Sequence, residues 1–206
     1  MAAINVNPTA LELMKLKKRL NTARRGHRLL KDKRDELMRQ FLDKIKENLI
    51  LREQVEKALS SAVTHMAIAT AVMSREQIET ALMMTEQRTE LDIKKKNVMG
   101  IELPTFDVKY KISDKNGIYS YGYAFTSCEL DEAVRSYGEI FKKLIALAEI
   151  EKSCQLMADE IEKTRRRVNA LEHIMIPRYE ETIRYISAKL EENERSTVAR
   201  LMKVKH

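Results

Sequence analysis

The chain is poor in the residues that punctuate folds. It holds five Gly, three Pro, no Trp and 5% aromatic residues. That excludes a β-sandwich, a barrel and a doubly wound α/β domain, all of which consume turns and aromatic core. Cysteine is scarce as well. Cys128 and Cys154 stand alone, so neither a disulfide framework nor a four-cysteine zinc site is encoded. The longest stretch without a charged side chain, Ala58–Ser74, carries Ser60, Ser61, Thr64, His65 and Thr70 and is too short and polar for a membrane span. Met1–Asn7 shows no basic-then-apolar leader. No Gly-rich loop that could cradle a phosphate is present. His27, His65, His173 and His206 lie far apart, without metal-ligand spacing, and no Ser/His/Asp or Cys/His pairing can be argued. These absences predict a soluble intracellular protein with no catalytic residues, no cofactor and no metal.

What is abundant is charge, 33% of residues, on a 206-residue chain that is 44% hydrophobic. This is the profile of long helices and coiled coils. The net charge of +7 is uneven: Leu11–Gln40 holds eleven Lys/Arg against four Asp/Glu, so this one segment carries the whole excess. Such a segment calls for an acidic partner.

Between Pro8 and Pro104 the only glycines are Gly26 and Gly100, and after Gly138 the only breaker is Pro177. Two long helical zones follow, with the breakers gathered between them. Thr9 and Glu12 have capping-box spacing at the first start, Thr126 and Glu129 at the second. The first zone places Leu13, Leu16, Leu20, Ala23, His27, Leu30, Arg34, Leu37 and Phe41 at alternating steps of three and four, the seam of a coiled coil, followed by Ile45 and Leu49 at steps of four. The second places Leu147, Ile150, Cys154, Met157, Ile161, Thr164, Val168 and Leu171 in the same way, then Met175, Tyr179 and Ile183 at steps of four, a drift that unwinds a left-handed supercoil. Aligning Leu13 with Arg200 also aligns Met66 with Leu147, which matches the uncharged stretch to the apolar run Leu144–Ile150 and predicts an antiparallel hairpin of two helices with an apolar thickening near the turn-back. Pro177 is expected to kink the second helix or to cost it one hydrogen bond.

Between the helices, Phe106, Val108, Tyr110 and Ile112 alternate with polar residues, as do Tyr119, Tyr121, Tyr123 and Phe125, with an Asn116–Gly117 turn signal between the runs. This predicts a β-hairpin with strands near 105–112 and 118–125. The expected fold is therefore mainly α: a long antiparallel two-helix coiled coil with a central β-hairpin and a short helical lower part. The organisation is residues 1–75 as the first long helix, 76–127 as helical linker and hairpin, and 128–206 as the second long helix.

Asn7-Pro8-Thr9, Leu16-Lys17-Lys18-Arg19-Leu20 and the run from Arg25 to Leu37 resemble the amino-terminal signature of the D subunit of V-type and A-type ATPases. Thr164–Glu172, Ile176-Pro177 and Leu190–Arg195 resemble its carboxy-terminal part, in the same order and at the same separation. The resemblance implies a non-catalytic central-stalk rotor shaft in a ring of A and B subunits, coupled to ion translocation. Its further partners would be a small F subunit and the C subunit, called d in eukaryotes, above the membrane rotor. It also implies a place at the inner face of the cell membrane, as a peripheral part of a complex, without direct membrane insertion and without nucleic acid. Lys17, Arg19, Arg24, Arg25, Arg28, Lys31, Arg165 and Arg166, with Leu201 and Met202 at the tip, are then the expected contacts with the ring. Tyr110, Tyr119, Tyr121 and Tyr123 are the expected contacts with the small stalk subunit. Two other classes compete: a prefoldin-like chaperone subunit, also helix–hairpin–helix, and a nucleic-acid-binding coiled coil, favoured only by the basic segment.

Overall fold

A computed structural model describes residues 7–83, 88–111, 119, 121, 122 and 126–204. Helix α1 runs Ala10–Val72 and helix α2 Arg75–Leu82; strands β1, Arg88–Val98, and β2, Ile101–Lys111, form an antiparallel hairpin; helix α3 runs Cys128–Ala170, passes through a π-helical turn at Leu171–Met175, and continues as helix α4, Ile176–Val204. Among the described residues the fold is long helices with one two-stranded hairpin. Two compact units are distinguishable: Met1–Met38 with Asp159–His206, and Arg39–Ala158.

The helix starts are set by hydroxyl caps. The Glu12 N–H donates to Thr9 Oγ1 at 3.3 Å. At α3 the cap is Ser127, one residue after the expected Thr126, with the Leu130 N–H on Ser127 Oγ at 3.3 Å. Ser74 caps α2 through a full capping box with Gln77. Each cap satisfies amides that have no partner within their helix.

In the first unit the core is Leu16 and Leu37 from α1 against Ile161, Thr164, Val168, Thr182 and Ile186. Every expected seam residue from Leu13 to Phe41 is buried or half-buried, as is every one from Leu147 to Leu171. The helices are antiparallel, because Arg24 reaches Glu180, His27 reaches Glu172 and Lys33 reaches Glu160. The register is not the expected one, which would have set Lys33 beside Glu180. A heptad seam matches itself after any slip of seven, so apolar spacing leaves the register degenerate. The second unit shows the same slip. Met66 packs on the cluster of Ala69, Met73, Ile78, Ala81 and Leu130, whereas Leu147 sits with Val55, Ala62 and Ile140.

Beyond Phe41 the four-residue stepping also fails. Ile45 and Leu49 are exposed, and the half-buried or buried line continues through Lys44, Asn48, Leu51, Val55, Ala58, Ala62, Met66, Ala69 and Met73. Steps of three and four keep this line facing its partner, and half-buried Lys44 and Asn48 are tolerated because long or small polar side chains lay their carbons on the seam. The uncharged stretch is not apolar all round in burial: Val63, Ile68 and Val72 point to solvent, while Ala62 and Ala69 are buried.

The π turn sits immediately before Pro177. Ile176 donates its N–H to Leu171 O, five residues back. Pro177 has no N–H and its ring crowds the carbonyl four residues earlier. Widening the preceding turn by one residue relieves that clash without breaking the helix, the usual place for a π bulge.

The hairpin lies one strand earlier than expected. The run near 105–112 is β2, but its partner is β1, on the other side, paired from Arg88↔Lys111 to Val98↔Ile101. The expected second strand near 118–125 and its Asn116–Gly117 turn fall mostly outside the described residues, and Tyr119, Tyr121 and Gly122 carry no strand. β1 was disguised by polarity. Its cross-strand links are ionic: Lys94–Asp107 and Lys95–Glu102, each 2.7 Å. These hydrogen-bonded pairs raise both lysines and lower both carboxylates from their ordinary values. Lys94 also offsets the like charges of Asp92 and Asp107, which stand directly opposite.

The turn is Met99–Gly100, with φ of 53° and 87°. Two positive φ values in a two-residue loop make a type I′ turn, and the Asn97 side chain accepts the Gly100 N–H at 2.9 Å. Methionine is strained there; asparagine is not. Met99→Asn should stabilise the hairpin by about 1 kcal/mol, read as slower hydrogen exchange of the β1 and β2 amides. Unchanged or faster exchange would show that the turn does not limit hairpin opening.

Candidate functional site

The basic segment lies on the first unit and divides by partner. Lys15 pairs with Glu12 at 2.8 Å, Arg24 with Glu180 at 2.7 Å, Lys33 with Glu160 at 3.4 Å and Arg34 with Asp35 at 2.7 Å. Among the described residues no ion pair reaches Lys17, Lys18, Arg19, Arg25, Arg28 or Lys31, and all six are exposed. Arg24 and Lys33 link α1 to α4 and α3, whereas Lys15 and Arg34 pair within α1 itself. Arg24, expected as an outward contact, is instead a link between the helices. Arg166 is held by Glu162 within its own helix, while Arg165 points to solvent.

His27 is half-buried at the seam and meets Glu172 at 3.2 Å. That hydrogen bond, with His173 and Lys31 nearby, holds the Glu172 carboxyl below its ordinary range. Beside this end of α1 a shallow groove of about 540 Å³ has a basic rim, Lys15, Lys18 and Arg19, and an apolar floor including Met175 and Tyr179. The π turn brings Met175 to that floor. At the tip, Leu11, Met14, Leu201 and Met202 are exposed, Leu201 at 65%. Arg24–Glu180 fixes the local register, and α1 begins at Ala10, so the last turns of α4 extend past the start of their partner.

The described tyrosines of this set differ in exposure. Tyr110 is exposed on β2, with Lys142 Nζ 5.3 Å from its ring centre, a cation–π contact. Tyr119 and Tyr121 are half-buried, rings 5.9 Å apart. Tyr121 packs on the Leu130 cluster and donates to Asp131 Oδ1 at 2.7 Å. Burial, then that hydrogen bond, pushes its phenol well above the ordinary range, so it stays protonated. Tyr121 is therefore a structural anchor, Tyr110 an available surface. Tyr123 lies outside the described residues.

Two apolar stripes on the second unit are exposed: Leu42, Ile45 and Leu49 on α1, of which spacing assigns Ile45 and Leu49 to the seam, and Tyr137, Phe141 and Leu144 on α3, which sequence reasoning missed as a surface. The signal was present, since each stripe keeps steps of three and four on a face other than the seam. On β2, the Phe106 N–H donates to a carboxylate oxygen of Glu149 on α3 at 3.1 Å. Cys154 is not built as a nucleophile. Burial pushes the Cys154 thiol up, away from the thiolate. No helix is long and apolar enough to cross a membrane among the described residues. The arrangement offers surfaces for proteins: outward cations, an apolar tip and apolar stripes.

Residues 12–206 match the family model of the ATP synthase D subunit. The chain is 57% identical over 203 residues to the V-type ATP synthase D subunit of Clostridium botulinum (strain Langeland), covering 98% of this chain and 94% of that one. It is 55% identical over 205 residues to the protein of the same name from Clostridioides difficile (strain 630), covering 100% and 92%. Against that of Clostridium novyi (strain NT) it is 55% identical over 206 residues, covering 100% and 95%.

Proposed function

The chain belongs to the ATP synthase D-subunit family, and from that premise we propose that it is the non-catalytic central-stalk rotor shaft of a V-type complex. In this reading it couples ATP hydrolysis or synthesis in a ring of A and B subunits to ion movement through a membrane rotor. The observation that carries the reading is the match along nearly the whole chain to proteins of that name. The physics supports it. Torque needs stiffness, and a seam buried on both helices supplies it within each unit. Angle-dependent coupling needs asymmetry, and the outward cations are concentrated on one segment of α1. Each ring conformation then binds one shaft angle better, and turnover moves the preferred state round the ring.

The ring contacts proposed are Lys17, Arg19, Arg25, Arg28, Lys31 and Arg165, with Leu201 and Met202 at the tip. Arg24 and Arg166 serve by first exchanging their present carboxylates. Tyr110 and the stripes Leu42–Ile45–Leu49 and Tyr137–Phe141–Leu144 serve the other stalk partners, the F subunit and the C subunit (d in eukaryotes). The complex is peripheral at the inner face of the membrane, and this chain does not insert.

Affinity purification of the tagged chain from native membranes should recover the A, B and F subunits. The purified chain alone should hydrolyse no ATP above buffer. Recovery of nucleic acid or of chaperone subunits instead, or hydrolysis that survives repurification, would overturn the reading.

A further inference from the structure

The second unit holds a trio that the shaft role does not use. His65 of α1 faces Glu129 and Glu132 of α3, with Nδ1 at 3.3 Å from Glu129 Oε2 and 3.5 Å from Glu132 Oε2. It is the one group of three His, Cys or carboxylate side chains among the described residues whose ligand atoms all lie within 4.8 Å of one another. We propose that His65, Glu129 and Glu132 bind a divalent transition-metal ion of the zinc class.

Three observations support this. The first is donor chemistry. One imidazole and two carboxylates, with water in the fourth position, make a borderline N/O set whose two negative charges match a dication. The second is geometry: His65 Nδ1 stands 3.3 Å and 3.5 Å from the two carboxylate oxygens, close enough for one ion to reach all three ligand atoms. The third is placement. Glu129 and Glu132 are three residues apart on one face of α3, anchored by the Ser127 cap and the buried Leu130 between them. His65 is half-buried beside Met66, which packs on the same Leu130 cluster. The ligands thus stand on rigid elements, and no shift of backbone is needed to bring them together. The nearby cation on α3, Arg135, is directed to Glu139. An ion here would clip α1 to α3.

The test uses the full chain stripped with a chelator and titrated with Zn²⁺ by calorimetry, with Co²⁺ as a visible probe of coordination geometry. The wild-type chain should bind one ion, show the absorption of four-coordinate cobalt, and melt several degrees higher with Zn²⁺. His65→Ala should weaken binding at least tenfold and abolish both the absorption and the melting shift. Cys128→Ser should leave all three unchanged. Should His65→Ala lose helicity, Glu132→Gln, at the most exposed ligand, takes its place and should weaken binding to the same degree. Equal binding by wild-type and ligand variants, or loss of binding in Cys128→Ser, would overturn the site.

Discussion

Replacing Leu130 by Ala should cost the second unit about 2–5 kcal/mol, the range for emptying a packed aliphatic site. Leu130 has no exposed surface and is the point where three elements meet: Ala69 and Met73 from the end of α1, Ile78 and Ala81 from α2, and its own helix α3, with Tyr121 and Val134 at the edge. The neighbours cannot collapse into the space. Ala69 and Ala81 have no side chain to extend, and α2 is only eight residues long, held by its cap and by Ile78 and Ala81. An isolated helix of that length is not stable in water. The deletion should therefore release α2 as well as lower the global midpoint. Urea denaturation followed by circular dichroism reads the first number, and hydrogen exchange in residues 75–82 reads the second. Leu42→Ala, at a side chain half open to solvent, is the control and should cost under about 0.5 kcal/mol. Equal losses in the two variants would refute this packing.

The contrast between those two leucines marks how far periodicity could be read. The seam from Leu13 to Phe41, and that from Leu147 to Leu171, followed from spacing alone, because burial on a helix demands that spacing. Past Phe41 two lines were compatible with the letters. One ran through Ile45 and Leu49, the other through Lys44, Asn48 and Leu51. The more apolar line is the exposed one. Hydrophobicity does not distinguish a core stripe from a docking stripe when both keep the same period. Register was hidden for a related reason. It is fixed by Arg24, His27 and Lys33 finding Glu180, Glu172 and Glu160, and many cation–carboxylate matches exist along charged helices. The hairpin was displaced because β1 offers only Leu91, Ile93 and Val98 among polar residues, while its turn, Met99–Gly100, lacks the usual Asn-Gly letters. The residues 113–117 carried those letters and drew the strand assignment downstream. The candidate surface was legible as an excess of charge between Leu11 and Gln40, but which cations are spoken for depends on the partner helix. Likewise His65, Glu129 and Glu132 are too far apart in sequence for any spacing rule to join them.

That division between paired and unpaired cations makes the second strong expectation specific. Reversing Arg25 and Arg28 together to Glu should leave helicity and the thermal midpoint nearly unchanged. Neither side chain has an ion-pair partner among the described residues, and surface changes of this kind usually stay within about 0.5 kcal/mol. Arg24→Glu is the informative comparison. It places a carboxylate opposite Glu180 and removes a link between helices, so it should lower the midpoint modestly, within about the 1 kcal/mol that exposed pairs contribute. Assembly should rank the other way. The double variant exchanges two outward positive charges for negative ones at a surface proposed to meet carboxylates, and like charges across an interface cost several kcal/mol. Its affinity for a preformed ring of A and B subunits should fall by roughly a hundredfold or more at low salt, which corresponds to about 2.7 kcal/mol. For the wild-type chain, binding should weaken as salt rises from about 50 mM to 300 mM, because screening shortens the reach of exposed charges to a few ångströms. The double variant should lose most of that salt dependence, a signature that a folding defect would not produce. Surface-immobilised ring and a salt series for the three proteins supply all of these numbers. If the double variant binds like wild type at low salt, the outward cations are a solubility feature. Engagement would then rest on Leu201, Met202 and the apolar groove floor beside Tyr179.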